Sequence, residues 1–399
     1  MTNKFEELIA KLCPNGVEYK KTGDIADVKT GKSNGNEAEE DGLYPFFVRS
    51  ENIKRKNDWE YDEEAIIIPG EGGVGDIYHY IKGKYALHQR VYRVHFEDPI
   101  VNTRFAYYYF KSNFKRFIIR KAVSATVTSI RKPMIEDFEI PVPPLEVQEE
   151  IVRILDTFTE LTAELTAELT DRKKQYEYYR DTLLTFDDNN PLHSLISRYC
   201  PNGVEYHKTS DLVRMSFWLM PETPRFIEDG IPYITSKNVK NGVINFESAK
   251  YIDCEDFAEI SKNRPICEGD MLITMIGTIG EVAIVKGNTK FYGQNLYLLR
   301  FDKTKIINKY YYYFITSEKI RNSIISRKNP SSQGYIKAGN IENLQIPVPP
   351  LEVQNQIVQI LDRFDALCND LTQGLPAEIE ARRKQYEYYR DQLLTFKRA

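Results

Sequence analysis

Ile140-Pro-Val-Pro-Pro-Leu-Glu-Val-Gln148 recurs letter for letter as Ile346-Pro-Val-Pro-Pro-Leu-Glu-Val-Gln354. Each copy opens a block that closes on a second shared phrase. The first ends in Lys174-Gln-Tyr-Glu-Tyr-Tyr-Arg180 and Leu183-Leu-Thr-Phe186, the second in Lys384-Gln-Tyr-Glu-Tyr-Tyr-Arg390 and Leu393-Leu-Thr-Phe396. Identity at both ends of two blocks of similar length marks an internal duplication. The Pro-Pro pairs make a rigid extended lead-in, and the residues after each pair read as a long helix. Val147, Ile151, Ile154, Phe158, Leu161 and Leu165 alternate steps of four and three, the seam of a coiled coil. Two such helices in one chain can pack on each other as a rod with something at each end.

Upstream, the repeat is larger than the helix. Residues 4–12 read as a short amphipathic helix, and Cys13-Pro-Asn-Gly-Val-Glu-Tyr19 then turns the chain. The same phrase returns as Cys200-Pro-Asn-Gly-Val-Glu-Tyr206. Between the shared phrases, stretches 20–139 and 207–345 align only weakly. Phe47-Val-Arg-Ser-Glu-Asn-Ile53 matches Tyr233-Ile-Thr-Ser-Lys-Asn-Val239, and Gly72-Gly-Val-Gly-Asp76 matches Gly277-Thr-Ile-Gly-Glu281. His88-Gln-Arg90 matches Gly293-Gln-Asn295, Tyr107-Tyr-Tyr-Phe110 matches Tyr311-Tyr-Tyr-Phe314, and Ser129-Ile-Arg131 matches Tyr335-Ile-Lys337. The drifting offset places an insertion in the second stretch, mostly between 240 and 270. Runs at 65–68, 271–274, 282–285 and 296–300 are strand-like, and 104–117 and 308–325 read as helices.

The expected fold class is α+β. Two globular mixed α/β domains, 1–143 and 189–349, are separated by two long antiparallel coiled-coil helices, 144–188 and 350–399, in a pseudo-twofold internal repeat. The helices are not equal. The first carries Thr162-Ala-Glu-Leu165 twice in tandem, through Leu169, which puts a stutter in the heptad. The second has Gly374-Leu-Pro376 there, and the proline is expected to kink or interrupt it.

Composition describes an ordinary globular protein, 42% hydrophobic and 28% charged, long enough for two cores. A net charge of −4 argues against a wholly basic molecule but not against local basic faces. Five cysteines without CxxC spacing read as reduced thiols. The start lacks a signal peptide's apolar stretch and no run is long enough for a membrane helix, so the expectation is a cytoplasmic protein without a membrane partner.

Charge is unevenly spread. Residues 101–135 hold Arg104, Lys111, Lys115, Arg116, Arg120, Lys121, Arg131 and Lys132 and no carboxylate. Residues 303–340 hold Lys303, Lys305, Lys309, Lys319, Arg321, Arg327, Lys328 and Lys337 against Glu318 alone. One such block is as well explained by a solvated helix face; two at corresponding places favour contact with nucleic-acid phosphates. Polar residues beside them suit loops that reach base edges. In the first stretch the candidates are Arg49, Ser50, Asn52, Gln89, Arg90, Thr126, Thr128 and Ser129. In the second they are Ser236, Lys237, Asn238, Thr278, Gln294, Asn295, Ser331, Ser332, Gln333 and Tyr335.

Signs of catalysis are weak. Gly70-Glu-Gly-Gly-Val-Gly75 fits G-x-G-x-x-G, but the residues after it read as a strand, so a tight hairpin is the better account than a cofactor loop. The sequence has no phosphate-binding loop of the GxxxxGK[ST] type and no Asn/Asp-Pro-Pro-Tyr/Phe motif. His79, His88, His95, His193 and His207 have neither metal-ligand nor triad spacing.

With its proline-led helix present twice and its two divergent stretches, the whole chain resembles the specificity subunits of type I restriction–modification systems. The tandem Thr-Ala-Glu-Leu units resemble the spacer repeats of the type IC subfamily. The resemblance implies a subunit that performs no chemistry and holds no cofactor or metal. The two domains would be target-recognition domains, each reading one half of a split, asymmetric site on double-stranded DNA. The helices would fix the spacing and dock two modification (methyltransferase) subunits, which carry S-adenosylmethionine; restriction (motor and nuclease) subunits would then join. Tyr176, Tyr179, Tyr386 and Tyr389 are candidates for that docking, or for the packed end of the rod. Two rival readings remain: a methyltransferase using Gly70–Gly75 for S-adenosylmethionine, and a coiled-coil scaffold without DNA contact.

Overall fold

The computed structural model describes residues 2–121, 129–287, 290–329, 334–370 and 372–399. They form two compact units, 1–166 with 379–399 and 167–378. These cut across the four consecutive blocks expected from the sequence, because each unit combines a globular stretch with pieces of both helical blocks.

The first unit contains α1 (Thr2–Leu12), β1 (Tyr19–Lys21), α2 (Thr22–Ile25), β2 (Ala26–Thr30), β3 (Tyr44–Phe47), β4 (Lys54–Lys56), β5 (Tyr61–Pro69), β6 (His79–Leu87) and β7 (Val91–Phe96). It continues through α3 (Thr103–Lys121), α4 (Lys132–Glu136), β8 (Glu139–Pro141) and the start of α5 (Leu145–Leu183). Six strands form a sheet in the order β2-β7-β5-β6-β3-β4. Only β3 and β6 pair parallel, at Phe46↔Ala86 and Phe47↔Leu87. Alternation along β5 divides the core. Ile66 and Ile68 pack with Phe105, Phe110 and Phe114 of α3 and with Val147 and Ile151 of α5. Ala65 and Ile67 face Phe47, Tyr85 and Leu87 on the other side. Of the six seam residues, Val147, Ile151, Ile154 and Phe158 are buried, and Leu161 and Leu165 are half-buried.

The second unit contains the rest of α5, then α6 (His193–Tyr199), β9 (Tyr206–Lys208), α7 (Thr209–Leu212), β10 (Val213–Leu219), β11 (Ile231–Ile234), β12 (Val239–Lys240), β13 (Val243–Ile244), β14 (Lys250–Ile252) and α8 (Cys254–Ser261). Beyond these come β15 (Met271–Thr274), β16 (Val282–Ile284), β17 (Tyr292–Gly293), β18 (Leu296–Phe301), α9 (Asn308–Ile315), α10 (Glu318–Ser326), α11 (Ala338–Glu342), β19 (Gln345–Pro347), α12 (Leu351–Asn369) and the start of α13 (Leu375–Leu393). Its sheets run β10-β18-β15-β16 and β14-β11-β17. Again one pairing is parallel, β11 with β17 at Tyr233↔Tyr292 and Ile234↔Gly293. The expected insertion is the β12–β13 hairpin and α8. The helix expected over 308–325 is two, broken at Thr316-Ser317, where both hydroxyls turn back onto carbonyls of the preceding turn.

The expected second long helix is likewise two, α12 and α13. Proline is not the breaker. Pro376 sits in the first turn of α13, where no backbone donor is needed. The break is made by Asp370, whose carboxylate accepts from Thr372 N at 2.7 Å, Thr372 Oγ1 at 2.6 Å and Gln373 N at 3.2 Å.

The glutamine of each Pro-Val-Pro-Pro-Leu-Glu-Val-Gln phrase locks its helix to its own unit. Gln148 Nε2 donates to Ile100 O and Pro143 O, both at 2.7 Å, and its Oε1 accepts from Asn102 N at 2.8 Å. Gln354 repeats this with Lys305 O, Pro349 O and Ile307 N. Both side chains are fully buried, so each polar atom needs its partner.

Candidate nucleic-acid interface

In the first unit the β3–β6 parallel pairing sends Arg49 and the His88-Gln89-Arg90 turn out from the same edge of the sheet. His88 N donates to Phe47 O at 3.0 Å. The loop from Gly70 to Tyr78, joining β5 to β6, closes over this corner. Gly70 N donates to Arg90 O at 3.0 Å and Gly70 O accepts from Ile130 N at 2.8 Å. Gly72 (φ 77°) lies so close to Arg49 that a Cβ would stand 2.4 Å from its carbonyl oxygen. Glu71 accepts from Arg90 at 2.9 and 3.0 Å and from Arg49 at 3.1 Å. Arg90 first, then Arg49, holds its carboxyl below the usual carboxylate range. Beneath them His88 is buried, and burial, helped by both arginines, lowers its pKa. Its Nδ1 accepts from Arg90 N at 3.0 Å.

Several sequence candidates thus meet at one corner. Gln89 Nε2 donates to Asn34 Oδ1 at 2.8 Å. Asn34 was not among the candidates, because nothing local links two residues so far apart in sequence. Lys115 of α3 is paired with Asp76 at the end of the glycine loop. Lys132 is taken by Glu136 at 3.2 Å, and Ser50 Oγ donates to Asn52 O at 3.1 Å. Lys111, Arg116, Arg120 and Arg131 are exposed and form no ion pair among the described residues; Lys111 lies 5.8 Å over the Tyr107 ring. Ser129 is half-buried. Thr126 and Thr128 lie outside the described residues.

The second unit builds the same corner with other side chains. Gln294 N donates to Ile234 O at 3.1 Å, Met275 N to Asn295 O at 3.3 Å and Ile336 N to Met275 O at 3.0 Å. Gln294 therefore occupies the place of His88, not of Gln89, and Ile234 that of Phe47. The sequence alignment is one residue out at Phe47 and at His88 but in register at Arg90, whose carbonyl accepts from Gly70 N as that of Asn295 accepts from Met275 N. The reason is the turn. His88, Gln89 and Arg90 separate β6 from β7, whereas Gln294 and Asn295 alone separate β17 from β18, and Asn295 takes the left-handed conformation (φ 65°) that the shorter link requires. Arg321 of α10 pairs with Glu281 at 2.6 Å, where the first unit has Lys115 and Asp76. Lys237, Thr278, Lys319, Arg327, Lys328 and Lys337 are exposed, and the five lysines and arginines have no ion pair among the described residues. Tyr335 Oη accepts from Asn329 Nδ2 at 2.9 Å.

Two candidates are corrected. Asn238 is 4% exposed and its amide is spent inside the fold, donating to Asn245 O and Ser248 Oγ and accepting from Thr235. Ser236 is buried beneath Gly277. Both hold the loop rather than face a ligand. Ser331, Ser332 and Gln333 lie outside the described residues.

The proposed docking tyrosines also divide. Tyr176 is buried and Tyr179 stacks on Phe364; Tyr389 stacks on Phe158 and Tyr386 packs against the first core. The exposed rings are their neighbours Tyr178 (66%) and Tyr388 (60%).

Two stretches, 14–172 and 204–381, match the family model for the type I restriction modification DNA specificity domain. The chain belongs to that family. It is 32% identical over 95% of its length, and 96% of the other's, to a chain from Haemophilus influenzae named as a type I restriction enzyme specificity subunit. It is 36% identical to the specificity subunit of an Escherichia coli type I restriction enzyme, over 65% of this chain and 63% of that one. Its fold resembles the crystal structure of a type I S subunit from M. genitalium, with a TM-score of 0.61, 17% identity and coverage of 96% and 97%.

Specificity subunits are non-catalytic, and this chain is accordingly not an enzyme. The glycine loop fits that assignment. It joins two antiparallel strands, with Ile67 opposite His79, and no helix starts from it to receive a phosphate. No helix among the described residues is long and apolar enough to cross a membrane.

Proposed function

We propose that each unit of this specificity subunit reads one half of a bipartite, asymmetric site on double-stranded DNA. The carrying observation is the corner built twice on one backbone plan with different side chains: Arg49, Glu71, Gln89 and Arg90 in one unit, Thr278, Gln294 and Asn295 in the other. One backbone plan with two chemistries suits two unlike half-sites. The cations of 101–121 and 303–337 that lack carboxylate partners would supply phosphate contacts and a strong salt dependence.

On this reading the repeated helices set the distance between the half-sites as an antiparallel pair. At 1.5 Å per residue the 39 residues of α5 span roughly 58 Å, close to two turns of B-DNA at ~34 Å each. Tyr178 and Tyr388, alike in sequence context and exposure, would dock two copies of a modification subunit carrying S-adenosylmethionine, with restriction subunits joining the assembly in the cytoplasm.

Exchanging residues 207–345 for those of another family member tests the reading. Sequencing the methylated sites in cells that carry the whole system should show one half-site changed and the other intact. A change in both halves, or in neither, would refute independent readout. Loss of salt-dependent DNA affinity altogether would leave only a scaffold.

A further inference from the structure

We propose that Glu71 is a positioning residue that aims Arg49 and Arg90 at guanine, so that the half-site read by the first unit contains guanine. The inference rests on the DNA-reading role proposed above and goes further by naming the base.

Three features of the corner carry it. The first is economy of contact. Glu71 engages only Nη1 of each arginine. Nε and Nη2 of both have no partner among the described residues, which leaves each guanidinium two nitrogens for a ligand. The O6 and N7 acceptors of guanine on the major-groove edge match a two-pronged donor of that kind. The second is charge. A carboxylate within about one hydrogen bond of both guanidiniums is a poor neighbour for a phosphate, which it repels. For an arginine directed at a base edge the same carboxylate fixes the side chain before binding, so less rotamer freedom is lost on contact. The cations without carboxylates, Arg116, Arg120 and Arg131, are the contrasting set suited to phosphate. The third is rigidity. Glu71 lies between Gly70, whose N–H is bonded to Arg90 O, and Gly72, pressed against Arg49 O. The loop bearing the carboxylate is thus anchored to the backbones of the two residues it orients.

The second unit has no such triad. Met275 makes the backbone bonds that Gly70 makes, so Ile276, which carries no charge, stands where Glu71 stands, and the signature belongs to one half-site only.

The test is selection from randomised duplex DNA by the full chain assembled with its modification subunits, followed by sequencing, with wild type, Arg90→Ala, Glu71→Gln and Arg120→Ala compared. Wild type is expected to select a site with guanine in one half. Arg90→Ala should lower the preference for that guanine by about tenfold or more, with the other half-site untouched. Glu71→Gln should weaken the same preference, and Glu71→Asp should restore part of it. Arg120→Ala should lower affinity evenly across sequences and reduce the salt slope. Melting temperatures guard against simple loss of fold; a purely structural Glu71 would weaken binding to all sequences alike. A selected site without guanine in either half overturns the proposal, as do Arg90→Ala and Glu71→Gln variants that keep the wild-type preference; both outcomes leave the bipartite reading standing. A wild-type assembly that selects no sequence overturns both.

Discussion

Phe158 lies on Tyr389 with ring centroids 5.5 Å apart and planes 25° from parallel. Phe364 lies on Tyr179 in the same way, at 5.2 Å and 26°. Within each unit, the start of one repeat's helix is therefore closed by the end of the other repeat's. An aspartate two residues before each phenylalanine is bonded to the unit's own aromatic helix. Asp156 takes Arg104 and Tyr108, and Asp362 takes Lys309 and Tyr313. Phe158 is almost fully buried and Phe364 half-buried. Phe158→Ala should cost the first unit about 3–4 kcal/mol, and Phe364→Ala should cost the second unit less. Urea unfolding reads both. A Phe158→Ala chain as stable as wild type would show that the stack does not hold the unit together.

Gly374 ends the break between α12 and α13 where a Cβ would stand 2.5 Å from Ala366 O and 2.8 Å from the carbonyls of Leu367 and Asp370. These are backbone atoms and cannot swing aside. Gly374→Ala should destabilise the second unit by about 1–3 kcal/mol. Pro376→Ala should change stability little, since the proline occupies a helix's first turn. Thermal melting of the two variants separates the accounts; a larger loss from Pro376→Ala would return the break to the proline.

The duplication was legible because its two ends are spelled identically, and the buried seam because a period of 3.5 needs only local sequence. The exchange of helix ends between units was not, since identical phrases give no sign of which core each one joins. Asn238 looked like a base reader because an amide on a loop is polar wherever it lies; only the fold brings Asn245 O and Ser248 to it. The one-residue error at His88 and Gln294 came from a turn whose length depends on a left-handed Asn295. Glu71 gave no signal in the sequence because a carboxylate among cations reads as dilution, whereas here it is what holds two of them still.

His79 and His88 of the first unit have lowered pKa values, in both cases chiefly through burial. The folded state thus favours their neutral forms. The stability this represents is complete above the ordinary value of 6.5 and is lost as the pH falls through the lower folded values. Glu150, held down to about 2 by Arg153 and Lys4, loses its contribution only in much stronger acid. The first unit should therefore melt at a lower temperature at pH 5.5 than at pH 7.5, and His88→Gln should reduce the difference. An undiminished difference in that variant would assign it to other groups.

Tyr178 and Tyr388 are large exposed rings in identical phrases, each set edge-on to the tyrosine that comes after it. Exposed aromatics of this kind dominate binding energy once covered. Replacing either by alanine should weaken attachment of one modification subunit by about 2 kcal/mol and leave melting unchanged; replacing both should reach both copies. Native mass spectrometry would resolve the two-partner, one-partner and free forms. A double variant that still assembles fully would move docking elsewhere on the chain.

The division between the two units falls between Thr166 and Ala167, inside the second Thr-Ala-Glu-Leu copy. Leu161, Leu165 and Leu169 are half-buried along one side of α5 while the Ala and Glu between them are exposed. Thr162 and Thr166 turn their hydroxyls back onto Phe158 O and Thr162 O, so the repeat asks little of either core. Removing residues 166–169 takes out about one helical turn, roughly 6 Å of rise and 40° of net rotation, which the leucine face can absorb. The rise lost lies between one and two base-pair steps. Sites methylated by a system carrying this deletion should keep both half-site sequences and lose one or two base pairs between them. An unchanged spacer would mean that the helices do not measure the distance, and altered half-sites would mean that the repeat shapes the reading corners themselves.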